Sequence, residues 1–305
     1  MSTSRCKINI RDKCTLNGIL VLLTLFVIMM ITTVTSFAAV SNINGGTSKD
    51  LQKAIDEAKK GTSISISGTV TIDETVTINR NITLIGSGTL MRKNGFRGSI
   101  IKVDRHSEAI MKGITIDGND VSFAKPAVYI DSGKFQMKSG TIKNNYDSGV
   151  FNHGTFKMYG GTISKNGDLD GGGVYNDYGT FEMRGGTISG NRALSRGCGV
   201  YNNTSATFKM IKGTISENKR SCHGGGVYNR GTFRMNGGTI LDNKVSLEGG
   251  GVYNDRGVFE MAGGTISENK AICYGGGIYN CGGKVKISER GAVLTYNSPE
   301  DKYGF

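Results

Sequence analysis

Residues able to do chemistry are few and scattered along this chain. Four carboxylates, Asp104, Asp117, Asp120 and Asp131, lie close in sequence, with Arg105 and Lys125 among them. Convergent acids holding calcium, beside a base that removes a proton from a sugar, would make a polysaccharide lyase. Turn aspartates bonding their own backbone have the same composition. Asp168 and Asp170 offer oxygen ligands for one calcium, but no neighbouring repeat supplies a third. His106, His153 and His223 stand apart, with no Ser-His-Asp order and no H-E-x-x-H helix. The glycine clusters lack the G-K-[ST] of a phosphate loop and read as turns. No catalytic residue, metal ligand or cofactor is assigned. The most distinctive stripe is aromatic: Tyr129, Phe151, Tyr175, Tyr201, Tyr228, Tyr253 and Tyr279 occupy one repeated position. Pointing outward, Tyr175, Tyr201, Tyr228, Tyr253 and Tyr279 would form a candidate glycan-binding ladder, since aromatic rings suit sugar faces. Pointing inward, they are core.

The stripe exists because the body is a repeat. Residues 171–191 read GGGVYNDYGTFEMRGGTISGN, 224–243 read GGGVYNRGTFRMNGGTILDN, and 249–269 read GGGVYNDRGVFEMAGGTISEN. Thr115, Thr141, Thr162, Thr187, Thr214, Thr239 and Thr265 mark the unit, and Val293 continues it in degenerate form. Steps between them run from 21 to 28 residues, and the elasticity falls between the Asn and the next glycine cluster. Each unit holds three short β-type runs, GVYN, GTFxM and GTISxN, and none reaches helical length. In F-x-M the Phe and Met share one face while the middle residue points away. That middle column, Gln136, Lys157, Glu182, Lys209, Arg234, Glu260 and Lys286, is polar or charged. Three strands per turn around an axis would set each strand beside its copy, about 4.8 Å away and parallel. Phe and Met then fill the bore. Asn119, Asn145, Asn166, Asn191, Asn218, Asn243, Asn269 and Asn297 would stack at one bend, and a second column follows the aromatic position. The valines of Val128, Val150, Val174, Val200, Val227 and Val252 alternate with the aromatic column, so sequence leaves its direction open. No leucine-rich frame and no recurring aspartate of a calcium roll is present. The architecture expected is all-β: a single-stranded parallel β-helix, or solenoid, of about ten turns.

Residues 47–60 read as an N-terminal capping helix, with Thr47 and Asp50 at its start and Leu51, Ala54, Ile55 and Ala58 as its apolar stripe. The domain layout is then residues 1–38 as leader, 45–297 as β-helix and 298–305 as C-terminal tail. The leader pairs a basic stretch with an apolar run, GILVLLTLFVIMMI, and small residues ending at Ala39. It fits a cleaved signal peptide or an uncleaved signal anchor. Either reading exports the rest, to the cell surface or the medium, with membrane contact only through this segment. Net charge is +12 for the whole chain, and Arg5, Lys7, Arg11 and Lys13 less Asp12 account for 3 of it. A basic exported body favours an anionic polymer as partner. No basic-aromatic nucleic-acid module is present. Cys198, Cys222, Cys273 and Cys281 match no zinc spacing. They are free thiols or, paired with nearest neighbours, Cys198–Cys222 and Cys273–Cys281 disulfides.

The unit GGGVYNxxGTFxMxGGTISxN resembles the repeats of bacterial surface and adhesin-like proteins with the right-handed, pectate-lyase-like β-helix. The lead-in LQKAIDEAKKG…NITLIGSGTL…ITIDGN is similar to the N-terminal part of that superfamily. The resemblance covers residues 45–297 and implies the right-handed coil. The family's polygalacturonases carry Asn-Thr-Asp, Asp-Asp, Gly-His-Gly and Arg-Ile-Lys segments, and none occurs here. The expected function is therefore a non-catalytic adhesion, structural or glycan-binding scaffold. Its partner would be a polysaccharide, an anionic cell-surface polymer or a host or cell-surface protein. The alternative is a carbohydrate-active enzyme, a polysaccharide lyase or glycoside hydrolase.

Overall fold

A computed structural model describes residues 40–220 and 223–305. The leader expected over residues 1–38 lies outside them. Among the described residues no helix is long and apolar enough to cross a membrane.

The chain winds as a right-handed parallel solenoid of about ten turns. Its GVYN-type strands stack into a ten-stranded parallel sheet, from Val76–Ile78 to Lys302–Tyr303. The GTFxM and GTIS strands build a second sheet of eighteen strands. Register is copy on copy: Phe181 pairs Phe156 and Phe208, and Ile188 pairs Ile163 and Ile215. Identity of sequence has become identity of neighbour. The phenylalanines from Phe135 to Phe259 stack at 4.7–5.6 Å between ring centroids and are at most 1% exposed. Met137 to Met261, the GTIS isoleucines and the valine column complete one apolar core along the bore. The middle residues of F-x-M face out and pair across turns, as Lys157 with Glu182 (3.7 Å) and Arg234 with Glu260 (2.8 Å).

Two columns of asparagine, buried except at Asn280, bind turn to turn. Asn145, Asn166, Asn191, Asn218, Asn243, Asn269 and Asn297 each donate from Nδ2, or accept at Oδ1, over 2.8–3.0 Å. Asn152 through Asn280 repeat the pattern at 2.7–2.9 Å. Stacked amides satisfy one another inside the protein, where an unpaired polar group would cost about 1–3 kcal/mol. Asn119 does not join the first column. Gly118 takes the inner position, and a Cβ there would lie 2.3 Å from Asn145 Oδ1. Asn119 instead adopts φ 54° and donates to the Arg92 and Asn94 oxygens. Arg92 Nη2 reaches Asn145 Oδ1 (3.4 Å) and heads the column in its place.

The glycine triplets have divided roles. Gly249 holds φ 69°, whereas Gly250 and Gly251 let adjacent turns approach: a Cβ on either would meet a carbonyl oxygen at 2.5–2.6 Å. The bend before each column asparagine is left-handed too, yet Glu217, Asp242, Glu268 and Tyr296 occupy it.

Strand Val40–Thr47 starts the coil earlier than residue 45, and helix α1 (Ser48–Glu57) follows, shorter than 47–60. Asp50 Oδ2 accepts from Thr47 N and Oγ1, both at 2.8 Å, and those bonds hold its carboxyl below the usual range. Leu51 and Ile55 are fully buried in the core and so cover its N-terminal end. Within the C-terminal tail, 298–305, strand Lys302–Tyr303 pairs beside Ile278–Cys281. Cys198 is disulfide-bonded, while Cys273 and Cys281 are free, so a Cys273–Cys281 bridge is excluded. The expected Cys198–Cys222 pairing falls on Cys222, which lies outside the described residues.

Candidate functional site: an aromatic column with an open end

The direction of the aromatic column follows from the valines. Val128 through Val252 are fully buried in the bore, so the alternating ring at the next residue points outward. Eight rings then line up along the rod, Tyr129, Phe151, Tyr175, Tyr201, Tyr228, Tyr253, Tyr279 and Tyr303, with centroids 4.7–5.6 Å apart, stacked at every step but Tyr175–Tyr201, where the planes tilt by 58°. The repeat distance between turns sets that spacing.

Stacking consumes ring faces. An interior ring has a neighbour on both sides, so it offers solvent only an edge. Loop groups take much of that edge as well. Tyr201 is 2% and Tyr228 6% exposed. The Arg196 guanidinium lies 5.2 Å from the Tyr201 ring and 5.9 Å from that of Tyr228. Asp170 anchors Arg196 with two bonds, at 3.0 and 2.8 Å. Asp170 thus serves an ion pair, and the Asp168 side chain lies outside the described part. Tyr228 Oη donates to Asp255 (2.8 Å), which also pairs with Arg230 (3.2 Å). Burial pushes the phenols of Tyr175, Tyr228 and Tyr253 well above the ordinary range. Of the five tyrosines expected as a ladder, Tyr201 and Tyr228 are covered, while Tyr175, Tyr253 and Tyr279 are part-exposed.

The N-terminal end differs. Tyr129 begins the stack, and its register partner in the preceding turn is Lys102 rather than a ring. Here lies an open cleft of about 500 Å³, lined by Tyr129, Phe151, Tyr175, Lys102, Lys125, Pro126 and Asp147 together with Thr75, Gly98 and Ser99. Lys102 is held by Asp104 (2.8 Å) and Asp131 (3.0 Å), and these bonds raise its pKa. His153 lies against Tyr129 and Phe151 and bonds Asp177 (2.5 Å).

The four acids do not converge. Asp104 and Asp131 share Lys102, whereas Asp117 is buried on another face with Lys143 (3.3 Å) and the Asn119 and Asn144 amides. Asp120 sits at a bend with φ 49°. No cluster of three metal-binding side chains occurs among the described residues.

Sequence reasoning missed Arg92. Its side chain is fully buried, yet it donates to the carbonyls of Gly98 and Lys125 (2.9 Å for the latter). Those two residues line the cleft, so one guanidinium ties its walls together. Burial lowers its pKa to about 10. A lone arginine following Leu90-Met91 in an alternating strand was the available signal, since position 92 falls on the inward face.

Compared with protein-family models, curated proteins and solved structures, the chain matches none of them.

Proposed function

We propose that this protein is a non-catalytic, exported binding rod of the pectate-lyase-like β-helix kind, which takes a polysaccharide at the cleft beginning its aromatic column. The supporting observation is the end of the stack: Tyr129 has a ring on one side only, and the cleft there is lined by three aromatics, two lysines and Asp147. Apolar rings beside a few polar groups are what a sugar needs, since its ring faces are apolar and its edges are hydroxylated. The lysines favour an acidic sugar. Asp104 and Asp131 are both engaged by Lys102 while Asp117 pairs with Lys143 on another face, an arrangement that supports binding without turnover. Export, and the cell surface or medium as location, rest on the leader at residues 1–38.

The test incubates the full chain with uronate and neutral polysaccharides, with and without calcium. Binding is followed by gel retention, and chemistry by unsaturated products and new reducing ends. Retention without product, weakened roughly tenfold or more in Tyr129→Ala, is expected. Release of either product would overturn the non-catalytic reading and turn attention to Asp104, Asp117, Asp120 and Asp131.

A further inference from the structure

A second surface lies on the elastic loops, away from the aromatic cleft. The residues after Asn191, Asn218, Asn243 and Asn269 of the column are Arg192, Lys219, Lys244 and Lys270, in four successive turns. Backbone pairing places them in line: Lys219 registers with Lys244, and Lys244 with Lys270. The Arg192, Lys219, Lys244 and Lys270 amides each bond the asparagine carbonyl one turn back. All four side chains are exposed, and Arg220 adds a fifth charge beside them. Beneath them Ala193, Val245 and Ala271 are buried, so the row sits on a rigid floor.

Like charges in register repel, and such a row is unfavourable without a counter-charge. The outer row of F-x-M offsets most of this internally by mixing signs, as in Lys157–Glu182 and Arg234–Glu260, and only Lys209 and Arg234 stand as like charges in register. The loop row does not mix signs. Glu217, Asp242 and Glu268 stand two residues earlier, but among the described residues only Asp242 closes an ion pair, with Lys244 (2.8 Å). None of the three lines the groove of about 430 Å³ that runs beside Lys219, Arg220, Lys244 and Lys270. The groove therefore presents four cations and no acid over three turns: Lys219, Lys244 and Lys270 in register, about 4.8 Å apart, with Arg220 beside Lys219.

We infer that this groove binds a linear acidic polysaccharide laid along the rod, one anionic group to each turn. A rigid polymer carrying one carboxylate or sulfate per sugar matches a rigid row carrying one cation per rung. The groove holds no aromatic ring, so it lacks the stacking platform of a single-stranded nucleic-acid site. The choice of polymer class rests on the polysaccharide reading above, whereas the groove itself does not.

The experiment measures retention of the full chain on polygalacturonate, on pullulan as the neutral control, and on phosphatidylglycerol vesicles, across a salt series. The variants are the exposed triple Lys219→Gln/Lys244→Gln/Lys270→Gln, which should fold as judged by an unchanged melt, and Tyr129→Ala. Binding to polygalacturonate that weakens with salt, and falls roughly tenfold or more in the triple variant, supports the groove. The fall should exceed any loss on pullulan. If the triple variant binds polygalacturonate as well as the parent, the proposal fails. Vesicle binding that the triple variant abolishes, without polygalacturonate binding, also overturns it and makes the groove a membrane contact. Should Tyr129→Ala be silent while the triple variant loses polygalacturonate, the cleft reading falls and the groove stands.

Discussion

The rod carries two stacked aromatic columns, and they differ in what meets the ring edges. The phenylalanines of the bore lie between Met and Ile side chains, every ring is shut away, and nearly all planes are within 20° of their neighbours. The outer column has nearly the same spacing, but its edges meet Arg196, Asp255, His153 and, at one end, open space. Stacking at this distance is thus a product of the coil's own repeat and does not mark a binding site. What distinguishes the outer column is the place where cover stops.

Three experiments break or sharpen that contrast. The largest effect belongs to Phe181→Asp. An unpaired carboxylate in the bore should cost about 4 kcal/mol or more and melt the neighbouring turns first, the rod being stabilised turn by turn. Circular dichroism melts check it, and a variant as stable as the parent would mean the column is not core. Next comes a pair of outer truncations. Tyr201→Ala, beneath Arg196, should lose about 2 kcal/mol and leave polysaccharide binding unchanged. Tyr129→Ala should lose about 1 kcal/mol or less and carry the binding defect. Equal stability losses in the two would erase the distinction between sealed and open segments. The smallest effect is alkaline. Tyr175, Tyr228 and Tyr253 have phenols raised above the unfolded value of about 10. Their stabilising contribution is complete below pH 10 and is lost as pH climbs through the folded values. Tyrosinate absorbance should therefore lag that of the urea-unfolded chain, and melting temperature should drop only above about pH 10.

The bore was legible from sequence because F-x-M, the GTIS isoleucine and the asparagine recur at fixed offsets, and a parallel coil turns offsets into contacts. The outer face was less legible. Valine and tyrosine alternate, so the pattern shows two faces without saying which is inside; packing decided it. Cover over Tyr201 comes from Arg196 in an elastic loop, where spacing carries no register. Asn119 matches its column by count, but the glycine before it lets the chain turn early, which a count does not record. Arg92 is the reverse case, a charge on an inward position, visible as an anomaly though not as a bridge between cleft walls.

The asparagine column also has a direction. Every Nδ2 donates toward the C-terminal end, so the first oxygen meets the Arg92 guanidinium and the last amide, Asn297 Nδ2, meets the Asp301 carboxylate (2.7 Å). A cation at the accepting end and an anion at the donating end complete a polarised chain whose middle links are interchangeable. The turn therefore becomes a unit of copy number. Removing residues 244–269 would join Asn243 to Lys270 with both ends still matched, leaving a rod one rung, about 4.8 Å, shorter. Length in such a protein can change by duplication or loss of whole repeats while its two ends, and whatever the first turns bind, stay the same.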